Sequence, residues 1–289
     1  MKKQGTVVII PVNDAEAILI AQLAQAFGIE TILSKQQHGA SLDGGRDYVS
    51  LIKKGKWKQV VIIEMPGVKS EEKIRNLGCD LTIIDHHNYT GLERSHHPET
   101  GRMLPSSLEQ FLKLFQMTPA KLTKQGFDPK LVKGIGILDR SFIWGLQKAH
   151  YSKKEIQEVI RYQKDLLLTI RPSKDEQVRE QAAKQAWKEA KKWGKYFVVI
   201  SKSDFHLRSA LSFYLAELYG KPIPLILLEK GEKRIYVQES DKSTDLYRTF
   251  GGFTYGTHQN WGYRNDREEK KITLENVLKV IAQKSKKKK

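Results

Sequence analysis

Residues 81–90 read Leu-Thr-Ile-Ile-Asp-His-His-Asn-Tyr-Thr, an apolar, largely β-branched run that stops at one carboxylate and two imidazoles. A run of this kind suits a strand buried on both faces of a parallel sheet. The residues that follow it then fall at the carboxyl edge, where such sheets bind ligands. Three neighbouring ionisable groups are costly to desolvate without compensation, so Asp85, His86 and His87 mark a place for a metal, an anion or chemistry. The plainer alternative is one histidine closing the strand end while the other faces solvent.

Similar runs recur. Residues 6–10, 30–33, 59–63, 81–84 and 134–138 read as strands, and residues 15–27, 70–77 and 106–115 as helices between them. Fully apolar strands joined by helices predict an α/β fold with a parallel sheet and helices on both faces. Ser106 or Ser107 can cap the helix over 106–115. A helix over 152–170 ends near Arg171-Pro172, and a polar helix over 174–193 follows. Beyond it the pattern restarts: strand 196–200, helix 207–218, strands 223–228 and 234–238 joined as a hairpin, and a closing helix over 273–282. The expected organisation is a first domain over 1–170, a helical linker over 171–194 and a smaller α/β domain over 195–289 that carries a basic tail. No repeats are present.

Charge narrows the partners. The chain has 50 Lys and Arg against 33 Asp and Glu, a net +17 over 289 residues. Five of those lysines sit in the terminal Lys284-Ser-Lys-Lys-Lys-Lys289, yet the remainder is still strongly basic. That balance favours polyanions, nucleic acid or phosphorylated ligands alike, and is also compatible with a lysine-rich solvated surface. No zinc-finger cysteine spacing or recognisable single-strand-binding sequence occurs. No apolar stretch is long enough to span a bilayer. Met1-Lys-Lys-Gln-Gly-Thr6 resembles the charged part of a signal peptide, but the apolar run after it meets Pro11 at once. The lone Cys79 cannot form an internal disulfide and reads as buried filler, so a reducing, cytoplasmic setting is expected.

Acidic or metal-binding groups follow four of the five expected strands. Asn13-Asp14-Ala15-Glu16 follows the first, Glu64-Met-Pro-Gly67 the third, Asp85-His86-His87 the fourth and Asp139-Arg140 the fifth. Asn13, Asp14 and Glu16 also suit a helix cap and first turn. In a parallel sheet, however, the carboxyl ends converge, and carboxylates with imidazole bind Mn²⁺ or Mg²⁺. Ions held this way activate water and neutralise a phosphoryl group, and they offset the repulsion among the carboxylates.

With these residues the chain resembles the DHH phosphoesterase superfamily, including RecJ-like exonucleases, phosphodiesterases of short oligonucleotides and cyclic dinucleotides, and manganese-dependent pyrophosphatases. Glu64 stands 22 residues before His86, near the family spacing, and Asp139 occupies the place of a later ligand. The resemblance implies one or two ions, Mn²⁺ first and Mg²⁺ as the other candidate. It implies that Asp14, Glu16, Glu64, His86 and Asp139 are metal ligands, with Glu64 and Asp139 shared or bridging. His87 would face phosphate and Asp85 would orient the histidine pair. Three positions depart from the family: Glu16 and Glu64 replace aspartates, and Ile10 stands where a histidine is usual, four residues before Asp14. The extra methylenes displace the carboxylate oxygens unless the backbone compensates, and Ile10 cannot coordinate.

The second domain resembles the family's accessory DHHA1 domain. Ser201 to Ser209 precedes an apolar helix, and residues 251–264 resemble its glycine-rich substrate loop in degenerate form. That implies substrate-binding roles for Arg208, Gly251, Gly252, His258 and Arg264, with Tyr255, Trp261 or Tyr263 stacking a base. The same loop also reads as a turn packed by aromatics. The leading expectation is a metal-dependent phosphodiesterase or exonuclease. Its partners would be a nucleotide, an oligonucleotide or single-stranded nucleic acid, with no membrane, and a homodimer is compatible with the sequence. The alternative is a nucleic-acid or nucleotide-binding protein whose degenerate metal centre no longer turns over substrate.

Overall fold

Four apolar runs pair in parallel, in the order β2-β1-β3-β4: β1 (Thr6–Pro11), β2 (Glu30–Ser34), β3 (Gln59–Ile63) and β4 (Asp80–Ile84). In β1 and β3 both alternating sets of side chains are buried, Val7, Ile9, Val60 and Ile62 on one face and Val8, Ile10, Val61 and Ile63 on the other. The sheet is therefore covered twice. Tyr48 and Ile52 of α2 (Tyr48–Gly55) and Ile74 of α3 (Val68–Asn76) pack on the first face. The second is covered by α1 (Ala15–Ala26), which packs on β1 and β2 and also contacts α4 (Ser107–Leu114), α6 (Pro129–Lys148) and α7 (Lys153–Leu167). A short α5 (Pro119–Lys124) precedes α6. This computed structural model describes residues 5–37, 39–87, 97, 100, 102–170, 173–256 and 259–283. It divides into two units, Met1–Ile170 and Arg171–Lys289.

The second unit begins with α8 (Ser173–Lys188). It continues through β5 (Lys191–Trp193), β6 (Tyr196–Ser201), α9 (Arg208–Tyr219), β7 (Leu225–Glu229), β8 (Arg234–Gln238), α10 (Ser243–Phe250), β9 (Phe253–Tyr255), β10 (Asn260–Arg264) and α11 (Leu274–Ala282). Its sheet runs β5-β6-β7-β8-β10-β9, with β6 and β7 parallel and the other pairs antiparallel. Leu207, Leu211 and Leu215 with Ala183 and Ala186 pack on one face of it, against Val199, Leu225 and Leu227. Leu246, Val277 and Ile281 pack on the other, against Ile226, Leu228, Ile235 and Val237.

The fifth strand expected over 134–138 does not exist; those residues are the middle of α6. Gly134 to Leu138 are all buried, and a short, fully apolar run does not declare its period. The decisive signal lies upstream. Asp128 caps the helix through Oδ1, which accepts from Lys130 N and Leu131 N, and Pro129 occupies its first turn. The helix expected over 174–193 also stops early. Lys191–Trp193 turns back at Gly194 (φ +56°) and pairs with Tyr196 to Val198. The 251–264 segment is largely strand, as β9 and β10, rather than a long loop.

Candidate metal centre

Between β1 and β3 the strand order reverses: the chain leaves β1 for β2 on one side, and β3 returns on the other. At such a switch point the loops diverge and leave a crevice at the carboxyl ends. Residues Asp14, Glu16, Glu64 and Asp85 to His87 all follow the strands that flank or adjoin it. Asp139 reaches the same place from inside α6, three residues before the break at Phe142 (φ +55°, ψ −160°).

The side chains converge. His86 Nε2 lies 3.2 Å from Asp139 Oδ2 and 3.6 Å from Glu64 Oε1. His87 Nδ1 lies 3.8 Å from the same Glu64 oxygen and 3.0 Å from Asp85 Oδ1, which also accepts from His87 N at 2.9 Å. Asp85 thus holds His87 through ring and backbone, and its hydrogen bonds do not reach His86. Glu64 stands in the left-handed region (φ +48°) with its amide donating to Ile84 O. A left-handed glutamate is strained, and this turn carries the longer side chain into the crevice. Asp14 caps α1, accepting from Ala17 N at 2.8 Å.

Three contributors were not foreseen, all at the start of α4. Ser106 makes the capping box with Glu109. That leaves the neighbouring Ser107 hydroxyl to donate to Glu64 Oε1 at 2.7 Å. Leu108 N donates to Glu16 Oε1 at 3.0 Å, and the Gln110 amide donates to Asp85 O at 3.0 Å. Two adjacent serines were visible in the sequence, and only one can cap; nothing local said what the other would meet.

Crowding of charge shifts the proton affinity of these groups. Burial, reinforced by the charges of Glu64 and Asp139, pushes Asp14 up to about 7. Burial with Asp139 and Glu64 also holds Glu16 well above the usual carboxyl range. Burial opposes a charge on His86, but Asp139 and Glu64 outweigh it and raise the imidazole to about 9. His87 is raised too, against burial, by Glu64 and Asp85. Burial disfavours ionised Asp85, yet His87 holds it below its ordinary value.

Glu16, Glu64, His86 and Asp139 each offer a ligand atom within 4.8 Å of the others, and Glu64, His86 and His87 form a second such group. Glu16 Oε2 is buried with no hydrogen-bond partner among the described residues. A carboxylate oxygen in that condition, amid other carboxylates, suits a cation. Three carboxylates with one imidazole fit a hard or borderline divalent ion of the Mn²⁺ or Mg²⁺ kind. Asp14 is in neither group. Ile10 is fully buried in the sheet and contributes nothing to the crevice but packing.

In the second unit, Arg208 opens α9 with its guanidinium 4.6 Å from the Tyr255 ring centroid and 5.5 Å from that of Tyr236. Arg264 is held by Asp266 through Nε at 3.0 Å and a terminal nitrogen at 2.7 Å. Gly251 O accepts from Trp261 Nε1 at 2.8 Å. At Gly252 (φ +81°) a Cβ would fall 2.4 Å from Gly262 O, so only glycine fits beside β10. Trp261 and Tyr263 are core residues, buried and stacked on each other. His258 lies outside the described residues.

No protein-family model matches the sequence, and no curated protein matches it. Solved structures do. The DHH domain of a member of a ribosomal-protein family superposes with a TM-score of 0.50 at 13% identity, over 96% of this chain and 85% of that one. The chain has the DHH-domain fold. RecJ exonuclease bound to manganese aligns at 12% identity and a TM-score of 0.42, over 91% of this chain and 86% of that one. The pGpG-specific phosphodiesterase PggH of Vibrio cholerae aligns at 11% and 0.40, over 96% of each. In this DHH fold the carboxylate and imidazole cluster lies at the strand-end crevice, and α4 closes over it.

Proposed function

We propose that the chain is a metal-dependent phosphoesterase acting on phosphodiesters of nucleotides or nucleic acid. The observation that carries this reading is the convergence of Glu16, Glu64, His86 and Asp139 within coordination distance at the switch point of the sheet. In this reading Glu64 is the shared ligand, Glu16, His86 and Asp139 complete the set, and Asp14 lends charge from the cap of α1. A bound Mn²⁺ or Mg²⁺ would polarise phosphate and lower the pKa of water. Asp85 fixes His87 with Nδ1 committed to the carboxylate. In this reading His87, so oriented, donates to a phosphate oxygen or leaving group. Arg208, with Gly251 and Gly252, is the second unit's candidate for gripping phosphate. Arg264 would have to exchange Asp266 for substrate.

The test is hydrolysis of single-stranded oligonucleotides, dinucleotides and cyclic dinucleotides with Mn²⁺, Mg²⁺ or chelator. Metal-dependent turnover that chelator abolishes supports the proposal; no turnover of any of these at either metal counts against it. Two observations favour a second reading, binding without hydrolysis. One oxygen of Glu16 and one of Glu64 already accept hydrogen bonds from α4, and Ile10 removes a ligand. Tight nucleotide binding without turnover in metal would select it.

A further inference from the structure

The first turns of α4 touch three ligand-bearing segments at once. The Ser107 hydroxyl meets Glu64 after β3, the Leu108 amide meets Glu16 after β1, and the Gln110 side chain meets the Asp85 carbonyl after β4. The two glutamates, each one methylene longer than aspartate, are the two whose carboxylates α4 takes hold of. In each case α4 binds Oε1. Glu16 is left with Oε2 buried and unpartnered. Ser107 is fully buried, so its hydroxyl has no solvent alternative to Glu64.

We propose that Ser107 is a positioning residue that sets the cation affinity of the strand-end cluster by fixing the long Glu64 side chain, while Gln110 supports the same cluster by holding the Asp85 backbone. The proposal rests on the metal-centre reading above and deepens it. A free glutamate in a crevice samples several rotamers. The Ser107 hydrogen bond to a charged acceptor selects one and removes that cost from cation binding. The helix N-terminus adds a favourable field for the carboxylates it faces. The second contact, from Gln110, holds the backbone from which His86 and His87 project.

The experiment is Mn²⁺ titration of the full-length protein followed by electron paramagnetic resonance, with no substrate present. Ser107→Ala should weaken Mn²⁺ binding roughly 10- to 100-fold, the range typical for removing a partner of a metal ligand. Gln110→Ala should weaken it in the same direction. The discriminating step is a double-mutant cycle with Glu64→Asp. An aspartate falls short of Ser107, so Ser107→Ala should cost less than about threefold in that background. A merely structural serine would cost the same in both. Cooperative melting in chelator establishes that each variant is folded, and Gln110→Ala, at a partly exposed position, keeps the test open if Ser107→Ala is not. Wild-type affinity in Ser107→Ala, or equal losses with and without Glu64→Asp, overturns the proposal while leaving the metal centre standing. Failure of the unmodified protein to bind Mn²⁺ overturns both.

Discussion

At the scale of single residues, the cluster is a set of negative charges that the fold forces together. Without a cation it must hold protons, and that gives stability a definite pH dependence. A carboxyl raised in the folded state from 3.8 to about 7, as Asp14 is, binds more protons folded than unfolded between those values. Its contribution to stability therefore falls as pH rises through that window. His86, raised from 6.5 to about 9, contributes stability that is complete below its unfolded value and lost as pH rises through about 9. Both act in one direction. The melting temperature in chelator should drop between pH 5 and 9, and saturating Mn²⁺ should remove or reverse the drop by displacing the protons. A flat or rising profile in chelator would contradict the geometry. His86→Ala removes an atom that lies near both Glu64 and Asp139. If the cluster stabilises transition-state charge by about 3 kcal/mol, turnover should fall about 100-fold or more in a metal-dependent assay.

At the scale of elements, the sequence located the strands of the first sheet well because each is a short apolar run with a turn or capping residue nearby. It misassigned residues 134–138 because that run is apolar on every side. The consequence for the site is instructive. Asp139 was expected at a strand end and comes from a helix, yet it reaches the same crevice. What makes this possible is the close approach of α6 to α4 at Gly136, where a Cβ would lie 2.4 Å from Ser106 Oγ. Gly136→Ala should push the two helices apart and cost about 1–3 kcal/mol of unfolding free energy by urea denaturation. It should weaken Mn²⁺ binding as well, since α4 carries Ser107 and α6 carries Asp139. A stable variant with unchanged affinity would mean that the helix contact does not set the site.

At the scale of the whole molecule, net charge is +17, and none of the described helices is long and apolar enough to cross a membrane. If the ligand is a single-stranded oligonucleotide, phosphate contacts should release counterions. Four such contacts imply an affinity loss of at least about tenfold between 50 and 200 mM salt, measured by fluorescence anisotropy. An affinity that ignores salt would point instead to a small ligand held by few charges. All the candidate metal ligands belong to the unit Met1–Ile170, whereas Arg208 and the Gly251-Gly252 pair belong to Arg171–Lys289.

The sequence by itself determined the parallel sheet, the positions of Glu64 and Asp85 to His87 at its carboxyl edge, and Asp14 as a cap. All of these follow from local apolar runs and from residues adjacent to them in the chain. It also placed glutamate at positions 16 and 64 and isoleucine at position 10. Only the tertiary structure decided what those glutamates do. Whether a longer carboxylate reaches the crevice depends on a left-handed turn at Glu64 and on Ser107 and Leu108, which lie 43 and 92 residues from the glutamates they meet. No window of sequence contains those contacts, because α4 meets the strand ends only after the sheet and the helices over it have packed.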